Sequence, residues 1–145
     1  MLIRRPTSKD YADWSRLYAG YAEFYRVTQT EEMRMRVWSW LHDPDHSTEG
    51  LVAEVDGRLV GLAHFRAFAR PLSASTGGFL DDLFVDPAAR GSGVAAELIR
   101  AINVEGRARG WTVIRWITAE DNYRARALYD HVAERTKWVT YDIKL

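Results

Sequence analysis

The chain has 145 residues, of which 47% are hydrophobic and 28% are charged. This length and composition are typical of one folded domain and exclude a disordered protein. Its 20 basic and 20 acidic side chains cancel, so no net charge draws it to nucleic acid or to an anionic membrane. It lacks cysteine, which excludes disulfides and a thiol nucleophile. The sequence has no apolar stretch typical of a signal peptide or a membrane span, so we expect a cytoplasmic protein.

The first half of the sequence predicts a strand, two helices and then a meander of strands. Thr7 and Asp10 form an approximate capping box before a helix with an aromatic face, and Thr30 can cap a second helix. Asp56 and Gly57 favour the tight turn of a hairpin. The predicted strands of this half are residues 2–5, 51–55, 58–68 and 79–85.

The second half alternates between helical and extended patterns. A helix is predicted from Gly93, and apolar residues at helical spacing predict another over residues 121–132. Residues 111–118 and 137–145 are predicted as strands. A strand that follows a helix in this order brings parallel pairing into the sheet. We therefore expect a single α/β domain over residues 1–145.

Residues 85–95 combine the end of a strand, two glycines and the start of a helix. Glycines let main-chain N–H groups approach an anion, and a helix start offers unpaired donors, so the segment indicates either a phosphate cradle or a plain turn. Residues 91–96 also satisfy G-x-G-x-x-A, with Glu120 at the distance of a ribose contact, as in dinucleotide-binding folds. However, five residues separate the strand from the glycines, and a meander precedes them, which argues against that interpretation.

The same segment resembles the signature of a known enzyme family. Residues 90–95 are similar to the R/Q-x-x-G-x-G/A signature of the GNAT N-acetyltransferases, residues 79–87 resemble that family's central strand, and Asn122 with Tyr129 resembles its second motif. The resemblance covers most of the chain. It implies a mixed, mostly antiparallel sheet of six or seven strands, with helices on both faces and a V-shaped opening at its centre. The acidic pair before residue 83 and the run of residues 116–122 are most similar to the subgroup that acetylates polyamines and histone tails.

The resemblance implies a site for acetyl-CoA that consists largely of main-chain groups. Free strand amides would pair with the pantetheine arm, the glycine segment would hold the pyrophosphate, and the amide of Asn122 would contact the arm. No metal is implied, and the four histidines lack the spacing of metal ligands with a partner. The strand residues are Leu83, Phe84 and Val85, and the cradle residues are Arg90, Gly91, Ser92, Gly93, Val94 and Ala95.

Three side chains are candidates for proton transfer. An alkyl amine with a pKa of about 10.4 is protonated at neutral pH, so a base or a water relay must remove its proton. Asp81 is the first candidate and Asp82 the second, with the two on opposite faces if the strand is regular; alternatively, both only flank the solvated end of the sheet. Tyr129 matches the family's proton donor for the leaving thiolate; alternatively, it is a core residue.

The resemblance implies direct acetyl transfer from acetyl-CoA to a primary amine such as a polyamine, a lysine side chain or another small cationic amine. A homodimer is also implied, in which the last strand, around Trp138 and Tyr141, could be exchanged or paired. Two alternatives stay open. One is a non-catalytic module that binds acyl-CoA as a sensor or interaction partner, and the other is an NAD-dependent oxidoreductase.

Overall fold

Five strands lie in chain order across one sheet in the computed structural model, which describes residues 1–145. The first three pairings are antiparallel, and the last is parallel. The prediction of a mixed, mostly antiparallel sheet is therefore confirmed, whereas the prediction of six or seven strands is wrong. The strands are β1 (Leu2–Arg4), β2 (Glu49–Val55), β3 (Arg58–Arg70), β4 (Ser75–Val85) and β5 (Ile114–Arg115), and the helices are α1 (Tyr11–Phe24), α2 (Glu31–Leu41), α3 (Val94–Ala108) and α4 (Tyr123–Val132).

The strand count differs because one predicted strand, residues 137–145, has no neighbour in the sheet. Residues 137–145 form no strand and make no hydrogen bonds, since no other strand of this chain lies beside them. The strand predicted over residues 111–118 is reduced to the two residues of β5, because only these are in register with β4. An alternating pattern indicates a potential strand, but a strand forms only where a partner offers its main-chain groups.

Local sequence signals place the hairpin and the first helix. Asp56 and Gly57 have φ values of 51° and 77°, the two positive angles of a tight hairpin turn between β2 and β3, as predicted. Asp10 accepts a hydrogen bond from the Thr7 N–H at 2.7 Å and closes a short turn before α1. Arg4 donates to both carboxylate oxygens of Asp10, at 2.7 and 3.0 Å, which fixes β1 against the start of this helix.

Both faces of the sheet are covered, as predicted. On one face Leu98 and Ile102 of α3 pack with Phe65 of β3. On the other face Trp14 and Leu17 of α1 pack on the central strands. None of the helices has the length and apolar character needed to cross a bilayer, and the cytoplasmic location stays a prediction.

Candidate functional site

The parallel strands β4 and β5 separate soon after they meet. They are in register only at Gly78 with Ile114 and at Phe79 with Arg115. Beyond this point β4 continues along β3 to Val85, while β5 has ended. One edge of β4 therefore has no neighbouring strand, and a V-shaped opening begins at Arg115.

The pairing of β4 with β3 shows which residues of β4 turn their N–H and C=O groups into the opening. The N–H of Asp86 donates to the carbonyl of Val60 at 2.8 Å, and groups of an antiparallel strand point to alternate sides. The main-chain groups of Leu83 and Val85 consequently point into the opening. The main-chain groups of Phe84 point towards β3. Phe84 therefore has no free main-chain group for the predicted contact with the pantetheine arm.

The segment before α3 forms an open cradle of N–H groups. Gly91 and Gly93 have φ values of 83° and 84°, which only glycine adopts without strain. The N–H groups of residues 91–96 have no hydrogen-bond acceptor in the structure, and no atom lies within 4 Å of the position that a Cβ would take at either glycine. These donors lie at the positive end of a 15-residue helix, so the cradle fits a diphosphate.

Arg90 takes no part in this row of donors. Its N–H bonds to the carbonyl of Pro87 at 3.4 Å. Its guanidinium lies over the rings of Phe24 and Phe84, at 5.5 and 5.8 Å from their centroids. The charge of Arg90 thus faces a cavity of about 290 Å³ next to α1, and its predicted contact with pyrophosphate stays a prediction.

A bulge in β4 brings the two carboxylates to the same face of the sheet. Asp82 pairs with His64 and Leu80 pairs with Phe65, so Asp81 is an extra residue in β4. Asp81 contacts Arg66, and Asp82 contacts His64. These two β3 partners are two residues apart and so lie on one face. The expectation that Asp81 and Asp82 point to opposite faces is wrong, because it assumed a regular strand.

Asp82 is held by a buried network of hydrogen bonds. Trp14 Nε1 donates to His64 Nε2 at 3.0 Å, and because indole is only a donor, His64 Nε2 carries no proton. The proton of this imidazole therefore lies on Nδ1, which donates to Asp82 Oδ2 at 2.8 Å. Tyr18 donates to the same oxygen at 2.8 Å. Burial opposes ionisation, but the hydrogen bonds outweigh it and lower the pKa of Asp82.

Asp81 is in a different electrostatic position. Its side chain is 35% exposed and forms an ion pair with Arg66 at 3.1 Å. Burial raises the pKa of Asp81 above its ordinary value, although the charge of Arg66 acts in the opposite direction. Of the two carboxylates, Asp81 is therefore the better proton acceptor, and Asp82 is the one that remains ionised at lower pH.

Tyr129 has a free hydroxyl. Its ring stands edge-on to that of Trp116, with 5.4 Å between centroids, and its hydroxyl makes no hydrogen bond to the protein. Burial, with a smaller contribution from Tyr25, raises the pKa of Tyr129 to about 12. The hydroxyl is consequently protonated at neutral pH and can donate a proton.

Asn122 has a structural role in the free protein. Its Oδ1 accepts a hydrogen bond from the N–H of Ala125, and its Nδ2 donates to Thr118 Oγ1, both at 3.5 Å. It therefore caps α4 and fixes the loop that follows β5. The predicted contact of its amide with the pantetheine arm stays a prediction.

Sequence reasoning missed the side chains that hold Asp82. The sequence analysis assigns neither His64 nor Tyr18 to the site. Trp14 and His64 lie 50 positions apart, and Tyr18 and Asp82 lie 64 apart, so no local spacing signals their contact. In addition, the structure contains no group of three His, Asp or Glu side chains that could hold a metal ion.

The model of the acetyltransferase (GNAT) family matches residues 14–133. The chain belongs to this family. Since GNAT enzymes use acetyl-CoA as a cosubstrate, the protein is an acyl-CoA-dependent N-acyltransferase.

Three relatives show how far this GNAT chain resembles characterised or solved members. It is 26% identical to a D-amino-acid N-acetyltransferase of Saccharomyces cerevisiae, over 97% of this chain and 89% of the relative. It is 31% identical to an uncharacterised N-acetyltransferase of Archaeoglobus fulgidus, over 89% of each. The crystal structure of a ribosomal-protein-alanine N-acetyltransferase from Brucella melitensis superposes with a TM-score of 0.83 at 26% identity, over the whole of both chains. Membership of the GNAT family takes the place of the NAD-dependent oxidoreductase as the interpretation of this chain. The comparisons do not assign the chain to the polyamine and histone subgroup.

Proposed function

We propose that this GNAT protein transfers an acetyl group from acetyl-CoA directly to a primary amine of a small cationic molecule or a lysine side chain. One observation carries the proposal: an open cradle of N–H groups lies at one end of a V-shaped opening that has Asp81 and Asp82 on the adjacent sheet face. Two named relatives act on an amino group. A polyamine acceptor is consistent with the two carboxylates, which attract a cation.

Acetyl-CoA would supply the activated acetyl group, and residues of three elements would hold it. The free N–H groups of residues 91–96 suit the diphosphate, as donors at a helix start. The main-chain groups of Leu83 and Val85 suit an amide-rich arm, which would pair with β4 as an added strand. Asn122 caps the start of α4, and its amide would contact the same arm.

Each polar side chain then has a distinct task. Asp82 stays ionised and attracts the protonated amine. Asp81, with its raised pKa, accepts the proton that the amine must lose before it can attack. Tyr129 holds a proton that it can give to the departing sulfur. Because the chain has no cysteine, the transfer is direct and needs both substrates bound together.

The test is thiol release from acetyl-CoA across a panel of primary amines, with CoA affinity measured by calorimetry. We expect Tyr129→Phe to lower kcat by about 10²–10⁴-fold, the usual contribution of a positioned acid or base, with little change in CoA affinity. A protein that binds CoA but releases no thiol with any amine would be the non-catalytic binding module. A protein that binds NAD but not CoA would contradict the proposal.

We also propose that the protein is a homodimer in which residues 137–145 of each copy pair with the sheet of the other. Four apolar residues alternate along this segment and are 73–118% exposed, which is the pattern of a strand with one face to bury. The sheet edge at β5 is free, and two identical copies can supply each other with the same segment. The alternating residues are Val139, Tyr141, Ile143 and Leu145.

Light scattering with gel filtration tests this assembly. We expect a double variant, Tyr141→Ser with Ile143→Ser, to be monomeric. A control double variant on the other face of the segment, Asp142→Ser with Lys144→Ser, should remain dimeric. A monomeric wild-type protein, or a dimer that survives the first pair of substitutions, would contradict the exchange.

A further inference from the structure

Alternating rings and guanidinium groups cover the sheet face beside Asp81. Arg66, Phe79 and Arg115 are paired in one row across β3, β4 and β5. The guanidinium of Arg66 lies 4.8 Å from the centroid of the Phe79 ring, and that of Arg115 lies 5.5 Å from the centroid of Phe68. The two rings contact each other edge-on, with centroids 6.1 Å apart. All four side chains therefore share one face, and the Arg66–Asp81 ion pair makes it the face of the two carboxylates.

Arg115 differs from Arg66 in having no acceptor. Arg66 is neutralised by Asp81, whereas the side chain of Arg115 makes no hydrogen bond or ion pair in the structure. Arg115 is half-buried, and a guanidinium carries five N–H donors that all seek acceptors. A cation that is partly removed from water and stacked on a ring, with its donors unused, indicates a place for an anionic group.

The position of Arg115 connects it to the site of transfer. It is the last residue of β5 before the strands separate, so its side chain begins at the apex of the opening. Arg115 is paired with Phe79, two residues before Asp81, so Arg115 and Asp81 lie one diagonal step apart on the two strands that border the opening. The long Arg115 side chain and the Asp81 carboxylate can therefore reach the two ends of one small molecule.

We propose that Arg115 binds a carboxylate of the acceptor, so that the preferred acceptor is an amino acid or another small molecule with an amine close to a carboxylate. This rests on the proposed acetyl transfer and makes the preferred acceptor a zwitterion instead of a purely cationic amine. The ammonium end of such a zwitterion is attracted by Asp81 and Asp82. Its carboxylate end, which the same aspartates would repel, is neutralised by the planar fork of Arg115. A polyamine lacks the group that Arg115 would bind and leaves this guanidinium unpaired.

Matched acceptors test this assignment. Each amino acid in the panel is compared with the amine that remains when its carboxylate is removed, such as phenylalanine with phenethylamine and lysine with cadaverine. We expect the wild-type protein to have the higher kcat/KM for the amino acid of each pair. Arg115→Gln should raise KM for the amino acids about ten- to hundredfold, the loss of hydrogen bonds to a charged group, and change KM for the decarboxylated amines less than about threefold.

Three controls separate the possible outcomes. Arg115→Lys keeps the charge but not the fork and should fall between wild type and Arg115→Gln. Arg107→Gln removes an equal charge from α3, on the other face of the sheet, and should leave every acceptor unchanged. The affinity for CoA should be the same in all variants.

The assignment is overturned if Arg115→Gln weakens both members of each pair equally, if it weakens CoA binding, or if the wild type favours the decarboxylated amines. Any of these results leaves the proposed acetyl transfer intact. Absence of thiol release with every amine would instead contradict the proposed function itself.

Discussion

Replacement of Gly93 by alanine separates the conformational cost of the cradle from its function. Gly93 has φ of 84°, and a Cβ at this position would meet no atom within 4 Å, so the cost comes from backbone strain alone. An alanine held in this left-handed region costs about 1–2 kcal/mol. For a domain of this size that lowers Tm by about 4–8 °C, at roughly 4 °C per kcal/mol.

Gly93→Ala should affect the affinity for CoA more than it affects the stability of the fold. This strain is relieved when the alanine shifts towards negative φ, and such a rotation turns the adjoining N–H groups away from the cradle. Loss of one hydrogen bond to a charged group costs about 1.5–3 kcal/mol, so we expect Gly93→Ala to weaken CoA binding at least about tenfold. Calorimetry with CoA and thermal unfolding followed by circular dichroism measure the two effects.

Gly57 provides a matched control in the β2–β3 turn. It has φ of 77° and equally open space around the position of a Cβ, and it lies outside the cradle. Gly57→Ala should lose about 1–2 kcal/mol of stability from the same strain and should bind CoA as the wild type does. If Gly93→Ala binds CoA normally, or if Gly57→Ala is equally impaired, the N–H groups of residues 91–96 do not hold the diphosphate.

Three further outcomes follow from named contacts. The guanidinium of Arg66 counteracts the rise in the pKa of Asp81 that burial causes. Arg66→Gln should therefore raise this pKa further and move the acid limb of the pH profile of kcat/KM to higher pH. Asp81→Asn should abolish this limb. The Arg4 guanidinium lowers the pKa of Asp10 to about 2; the folded state is therefore stabilised above the ordinary pKa of about 3.9, and this stability is lost as pH falls through 2. Urea titrations should show that Asp10→Asn costs about 1–3 kcal/mol at pH 7 and much less near pH 2. Leu98→Ala, in the fully buried core, should cost about 2.7–5 kcal/mol, against less than about 0.5 kcal/mol for the exposed Leu72→Ala.

Features that depend on neighbouring residues could be predicted from the sequence. Asp56 and Gly57 determine the hairpin because both tolerate positive φ, and no distant residue is needed for that turn. Gly91 and Gly93 before α3 predict the cradle for the same reason: the free N–H groups belong to the helix start itself. The family resemblance and the order of helices and strands also came from segments that can be interpreted one at a time.

Features that depend on the register between distant segments were decided only by the tertiary structure. The bulge at Asp81 arises from the alignment of β4 with β3, and it reversed the expected side of one carboxylate. The Trp14–His64–Asp82 network joins a helix and two strands that are remote in sequence, and Arg115 joins its row only through its pairing with Phe79. Residues 137–145 have the pattern of a strand, but a strand needs the main-chain groups of a neighbour, and the sequence of this segment does not contain them.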